Sequence, residues 1–86
     1  ELGGVSIFLL RVPPEEEAPP CPPRPYLGLD HFGLRVKNLD EAVADLKAKG
    51  AEFAVEPKTI RPGVRIAYVR GPENERIELV EHAPAP

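Results

Sequence analysis

What this chain lacks narrows its role before any motif is read. It has one cysteine, Cys21, among 86 residues. A lone cysteine excludes an intrachain disulfide and suits a reducing compartment such as the cytoplasm. Cys21 stands among prolines with no histidine near it in sequence, which argues against a nucleophilic thiol. There is no surplus of positive charge: 11 Lys and Arg face 14 Asp and Glu, a net charge of -3. Without a basic stripe, the chain is not built for the phosphates of a nucleic acid. No apolar run approaches the roughly 20 residues of a membrane-spanning helix. The apolar stretch at residues 5–10 is too short for a secretory core and has no cleavage pattern after it. Aromatic residues make up 6% of the chain, which leaves few flat rings to stack on a planar drug. Methionine is absent and the chain begins at Glu1, so it is expected to be a piece of a longer polypeptide.

What is present reads as one small domain with a core that is marginal alone, so oligomerisation is expected to supply further burial. Residues 5–12, VSIFLLRV, are β-branched and apolar with no breaker, and read as a buried N-terminal strand. Pro13 and Pro14 end it. Residues 13–25, PPEEEAPPCPPRP, hold seven of the chain's 12 prolines. That stretch cannot pack a core and reads as an extended, exposed linker. The module proper spans residues 26–82, and residues 83–86 are a tail.

Within the module, residues 29–37 alternate as a strand. Asn38 stands at a helix N-cap with Glu41 three positions on, and Asp40 adds negative charge to the first turn. Leu39, Val43 and Leu46 form one apolar stripe, and Gly50 follows Lys47 and Lys49 as a helix-ending residue. Residues 51–56 read as a short strand, 57–63 as a loop and 64–70 as a strand. Residues 71–74 read as a turn in which Asn74 tolerates a left-handed conformation, and a last strand starts at Arg76.

The chemistry lies in the parity of the first and last of these strands. Phe32, Leu34 and Val36 share one face, and His31, Gly33 and Arg35 the other. Ile77 and Leu79 share one face, and Arg76, Glu78 and Val80 the other. A sheet that buries the apolar faces against the helix turns His31 and Glu78 out of its opposite face. If the two strands are neighbours, an imidazole and a carboxylate converge, a pair able to hold a divalent metal or move a proton. The plainer alternative makes both of them exposed face residues without a role. Arg35 and Arg76 share that face and suit a substrate carboxylate or phosphate; surface solubility or pairing with nearby Glu explains them equally well. Tyr68 is expected in the core with Val64 and Ile66, and Glu81 and His82 in solvent.

The stretches LDHFGLRVKNLDEAVADLKAKGAEF and GVRIAYVRGPENERIELVE resemble one repeat of the vicinal oxygen chelate superfamily, which includes glyoxalase I, methylmalonyl-CoA epimerase, extradiol dioxygenases and bleomycin-resistance proteins. The resemblance covers residues 27–82. It implies an α+β fold, one βαβββ module of the glyoxalase/bleomycin-resistance/dioxygenase type, here with an extra N-terminal strand, its sheet curved into a cup with the helix on the convex side. It also implies metal ligands at His31 and Glu78, with a divalent ion (Zn, Ni, Mn or Co) at that pair. In an enzyme of this kind the ion stabilises an enediolate or enolate while a carboxylate, here Glu78, shuttles the proton. The implied activity is that of a lyase or epimerase on a small oxygenated substrate, and the implied assembly is a homodimer. The alternatives are a metal-free drug-binding module and a non-catalytic half-domain. Two departures matter. The family usually joins two repeats, whereas residues 5–12 resemble only the closing strand of a preceding one, with Phe8 and Leu9 where its Glu would stand. The turn before the last strand, GPENE, differs in letters from the Asp-Pro-x-Gly-Asn of many relatives.

Overall fold

A computed structural model describes residues 4–20 and 22–83, so Cys21 lies outside the described residues. The elements are β1 (His31–Arg35), α1 (Leu39–Ala48), β2 (Glu52–Arg61), β3 (Val64–Arg70) and β4 (Arg76–His82). They form a four-stranded mixed sheet in the order β1-β4-β3-β2 with one helix, the expected α+β module. β1 runs parallel to β4, and β4, β3 and β2 are antiparallel neighbours.

Local chemistry accounts for α1. The Asn38 side chain accepts the Glu41 N–H at 3.0 Å, closing the N-terminus. Glu81 Oε2, reaching over from β4, accepts the Leu39 N–H at 2.7 Å. Glu81 is therefore a helix cap, not the solvent residue that the sequence suggests. At the other end Gly50 takes a positive φ of 92°. Its N–H bonds to the Lys47 carbonyl and that of Ala51 to the Leu46 carbonyl, the paired bonds of a Schellman motif. Leu39 and Val43 then bury against Ala67 and Leu79, with Leu34, Leu46, Phe53 and Val69 packed around them. This is the core, and it lies between α1 and one face of the sheet.

Two elements differ from the sequence reading. β2 does not stop at Glu56 but runs through Pro57 to Arg61. The register with β3 slips between Val55 and Lys58, so Pro57 sits at a bulge on an edge strand, where a missing N–H costs little. Residues 6–12 form no strand; only Val5 makes an isolated bridge. Their side chains are not buried either: Phe8 is 80%, Leu9 91% and Leu10 89% exposed. A strand needs a partner ladder, and the sheet of a single chain gives this segment none. The radius of gyration, 15.0 Å, exceeds the about 12 Å of a compact domain of this length, as an outlying arm requires. No helix among the described residues is long and apolar enough to cross a membrane.

Candidate functional site

The parallel pairing of β1 with β4 decides which side chains meet. His31 lies opposite Arg76, and Gly33 opposite Glu78. His31 and Glu78 are thus diagonal neighbours on the face away from α1, about 8 Å apart at Cα from ordinary strand spacings. Gly33 makes room between them. A Cβ there would stand 3.3 Å from Glu78 Oε1, so the carboxylate leans over the glycine toward β1.

Tyr68 joins them. In the β3–β4 ladder it faces Glu78, and its ring meets the His31 ring edge-on, with centroids 5.1 Å apart. Parity correctly groups Tyr68 with Val64 and Ile66, but that set faces away from the helix. Ala67 and Val69 take the helix-facing core instead. Burial, and then hydrogen bonding to the Glu78 carboxylate, push the Tyr68 phenol above its ordinary value, so it stays a protonated O–H donor at neutral pH. The Arg76 guanidinium lies 5.7 Å over the Tyr68 ring, a cation–π contact. Arg35 is exposed and does not join this group; it stands about 13 Å along β1 from His31 by strand rise.

Asp30, just before β1, also escapes sequence parity. Its Oδ2 lies 2.8 Å from His31 Nδ1, and its Oδ1 accepts from Arg24 Nε at 3.0 Å. The hydrogen bond with His31 and the Arg24 guanidinium hold the Asp30 carboxyl below its ordinary 3.8. Two features of the sequence point to these residues. A glycine in a strand interior flags a close approach, and an acidic residue beside a candidate histidine flags an orienting partner.

One imidazole and one carboxylate have the right donor chemistry for a divalent ion. Among the described residues no three His, Cys, Asp or Glu side chains gather as a metal site. The pair offers two donors of the right kind and no third among the described residues. An apolar groove of about 800 Å³ lies elsewhere: it follows β1, lined by Val5, Ile7, Leu29, Phe32 and Leu34 among others.

A model of the Glyoxalase/Bleomycin resistance protein/Dioxygenase superfamily matches residues 4–79. The probable chloroplastic lactoylglutathione lyase of Arabidopsis thaliana is 35% identical over 60 residues, 69% of this chain but 17% of that protein. A glyoxalase family protein of Bacillus cereus superposes with a TM-score of 0.68 at 30% identity, covering 83% of this chain and 48% of that one. A glyoxalase family protein of Enterococcus faecalis gives 0.67 at 27% identity, covering 76% and 52%. The chain thus spans about half of those structures and about a sixth of the plant relative. Matched along most of its length in sequence and in fold, it belongs to the glyoxalase/bleomycin resistance protein/dioxygenase superfamily.

Proposed function

We propose that this chain supplies one module of a metal-dependent lyase or epimerase of the glyoxalase type, acting on a small oxygenated substrate. The observation that carries the proposal is the placing of His31 and Glu78 on one face of paired strands, opened by Gly33. The lactoylglutathione lyase name of the plant relative supports the lyase class. In this reading His31 and Glu78 hold a divalent ion (Zn, Ni, Mn or Co), which supplies Lewis-acid stabilisation of negative charge on the substrate oxygens. Glu78 moves the substrate proton. Tyr68 donates a hydrogen bond beside it, and Arg76, with Arg35 further out, receives an anionic substrate group.

A second copy completes the site. Two ligands are few for a catalytic metal, which commonly has three protein ligands. A homodimer that brings two His31/Glu78 pairs together about a twofold axis has four. A reducing compartment such as the cytoplasm suits the one cysteine. Metal analysis of protein purified without chelator tests the reading. Wild type should carry about one ion per two chains, and His31→Ala and Glu78→Gln should each remove it without unfolding the chain. Metal uptake should also weaken on acidification, because imidazole ligates only when neutral.

The apolar groove along β1 favours a second reading, a metal-free module that holds an apolar ligand. Wild type that takes up no metal, with both substitutions silent, would leave that reading or a non-catalytic half-domain.

A further inference from the structure

Both oxygens of the Asp30 carboxylate are engaged, one by His31 Nδ1 at 2.8 Å and the other by Arg24 Nε at 3.0 Å. Arg24 is itself anchored: its Nη2 donates to the Asn74 carbonyl at 3.3 Å, in the turn that leads into β4. Arg24 therefore links the group beside His31 to the start of the strand that carries Glu78. The Asp30 and His31 side chains are 49% and 33% exposed, and ion pairs so placed add little stability. What the contact does fix is direction. An ionised carboxylate only accepts hydrogen bonds, so the shared hydrogen belongs to Nδ1. A neutral imidazole with its hydrogen on Nδ1 has a bare Nε2, turned away from Asp30.

We infer that Asp30 is a positioning residue for His31: held by Arg24, it fixes the imidazole as the Nδ1–H tautomer and leaves Nε2 as the coordinating nitrogen. A histidine side chain without such a partner favours hydrogen on Nε2, which blocks the nitrogen that a metal or substrate proton would need. Carboxylates in this place set ring orientation and raise ligand basicity. The inference rests on the proposed metal reading only for what Nε2 receives. The tautomer is a property of the chain alone.

The test is nitrogen NMR of the whole chain labelled with ¹⁵N-histidine, free of metal, at a pH where imidazole is neutral. Wild-type His31 should show hydrogen on Nδ1, while exposed His82 shows the ordinary Nε2–H pattern. Asp30→Ala should convert His31 to the His82 pattern with the backbone amide spectrum otherwise retained. Arg24→Gln, which leaves the carboxylate in place, should give a mixture and serves if Asp30→Ala fails to fold. Titrating the same samples with Zn²⁺ should show affinity about 10- to 100-fold weaker without Asp30. Wild-type His31 with hydrogen on Nε2, or an unchanged pattern in both variants, would overturn the role; where wild type binds Zn²⁺, so would an affinity unchanged without Asp30. A tautomer that shifts as described while wild type binds no Zn²⁺ would support the positioning and sink the metal reading alone.

Discussion

Gly33 faces Glu78 across the parallel pair, and its backbone is not in the left-handed region. Alanine there meets no backbone strain and gains about 0.5–1 kcal/mol of intrinsic preference over glycine. Against that stands a Cβ 3.3 Å from Glu78 Oε1, a contact that the carboxylate relieves by swinging away. Gly33→Ala should therefore change stability by less than about 1 kcal/mol in urea denaturation yet weaken Zn²⁺ binding severalfold. Full Zn²⁺ binding in this variant would show that the position of Glu78 over Gly33 has no part in the site. Asp40 gives a prediction in pH. Both of its oxygens accept from Arg65, at 3.1 Å each, and that guanidinium holds its carboxyl below the ordinary 3.8. A carboxyl lowered on folding contributes stability that is present above 3.8 and is lost as pH falls through its folded value. Asp40→Asn should be less stable than wild type at neutral pH, and the gap should close as pH drops below 3.8. Denaturant midpoints over a pH series would read this, and a gap that persists in acid would contradict it.

At the scale of elements, α1 was legible because its ends are written in short-range chemistry: Asn38 at the start, Gly50 at the stop, and Leu39 and Val43 between them. Asn38→Ala should cost about 1 kcal/mol in urea denaturation, and a cost near zero would mean that Glu81 caps the helix unaided. Glu81 was not legible, since its partner Leu39 lies 42 residues away. β1, β3 and β4 were readable from alternation, and so was the left-handed Asn74, at φ 67°. β2 was cut short because Pro57 reads as a stop, and only the sheet order reveals an edge where a bulge absorbs it. Tyr68 was misplaced for a related reason. Alternation sorts side chains into two faces but does not say which one meets the helix, and this sheet buries apolar residues on both. Val64 and Ile66 are 7% and 5% exposed on the side of Tyr68, and Ala67 and Leu79 are buried on the other. The candidate pair, His31 with Glu78, needed only parity and adjacency. Asp30 carried a signal in standing beside His31, whereas Arg24, six residues from Asp30 and 50 from Asn74, needed the fold.

The whole molecule exposes 7014 Å², whereas a compact monomer of this mass exposes about 5,000 Å². The surplus, about 2,000 Å², exceeds the roughly 800 Å² that each partner contributes to a standard interface. Part of it is apolar, because Phe8, Leu9 and Leu10 stand almost fully in solvent. The residues just before them, Val5 to Ile7, share with edge strand β1 an apolar groove of about 800 Å³. Exposed edges and exposed apolar arms both invite a second chain. The composition of residues 5–12 thus matches a strand whose ladder lies outside its own monomer, and the proline-rich linker gives it reach. Sedimentation should find a dimer at micromolar concentration. Phe8→Glu combined with Leu10→Glu should shift that equilibrium toward monomer at least tenfold while leaving Arg24, Asp30 and the sheet untouched. Both side chains are already exposed in the monomer, at 80% and 89%, so the charges add no folding cost within one chain. A double variant that dimerises like wild type would remove the arm from the interface. A well-folded wild-type monomer at high micromolar concentration would remove the dimer itself, and with it the second His31/Glu78 pair that the metal reading requires.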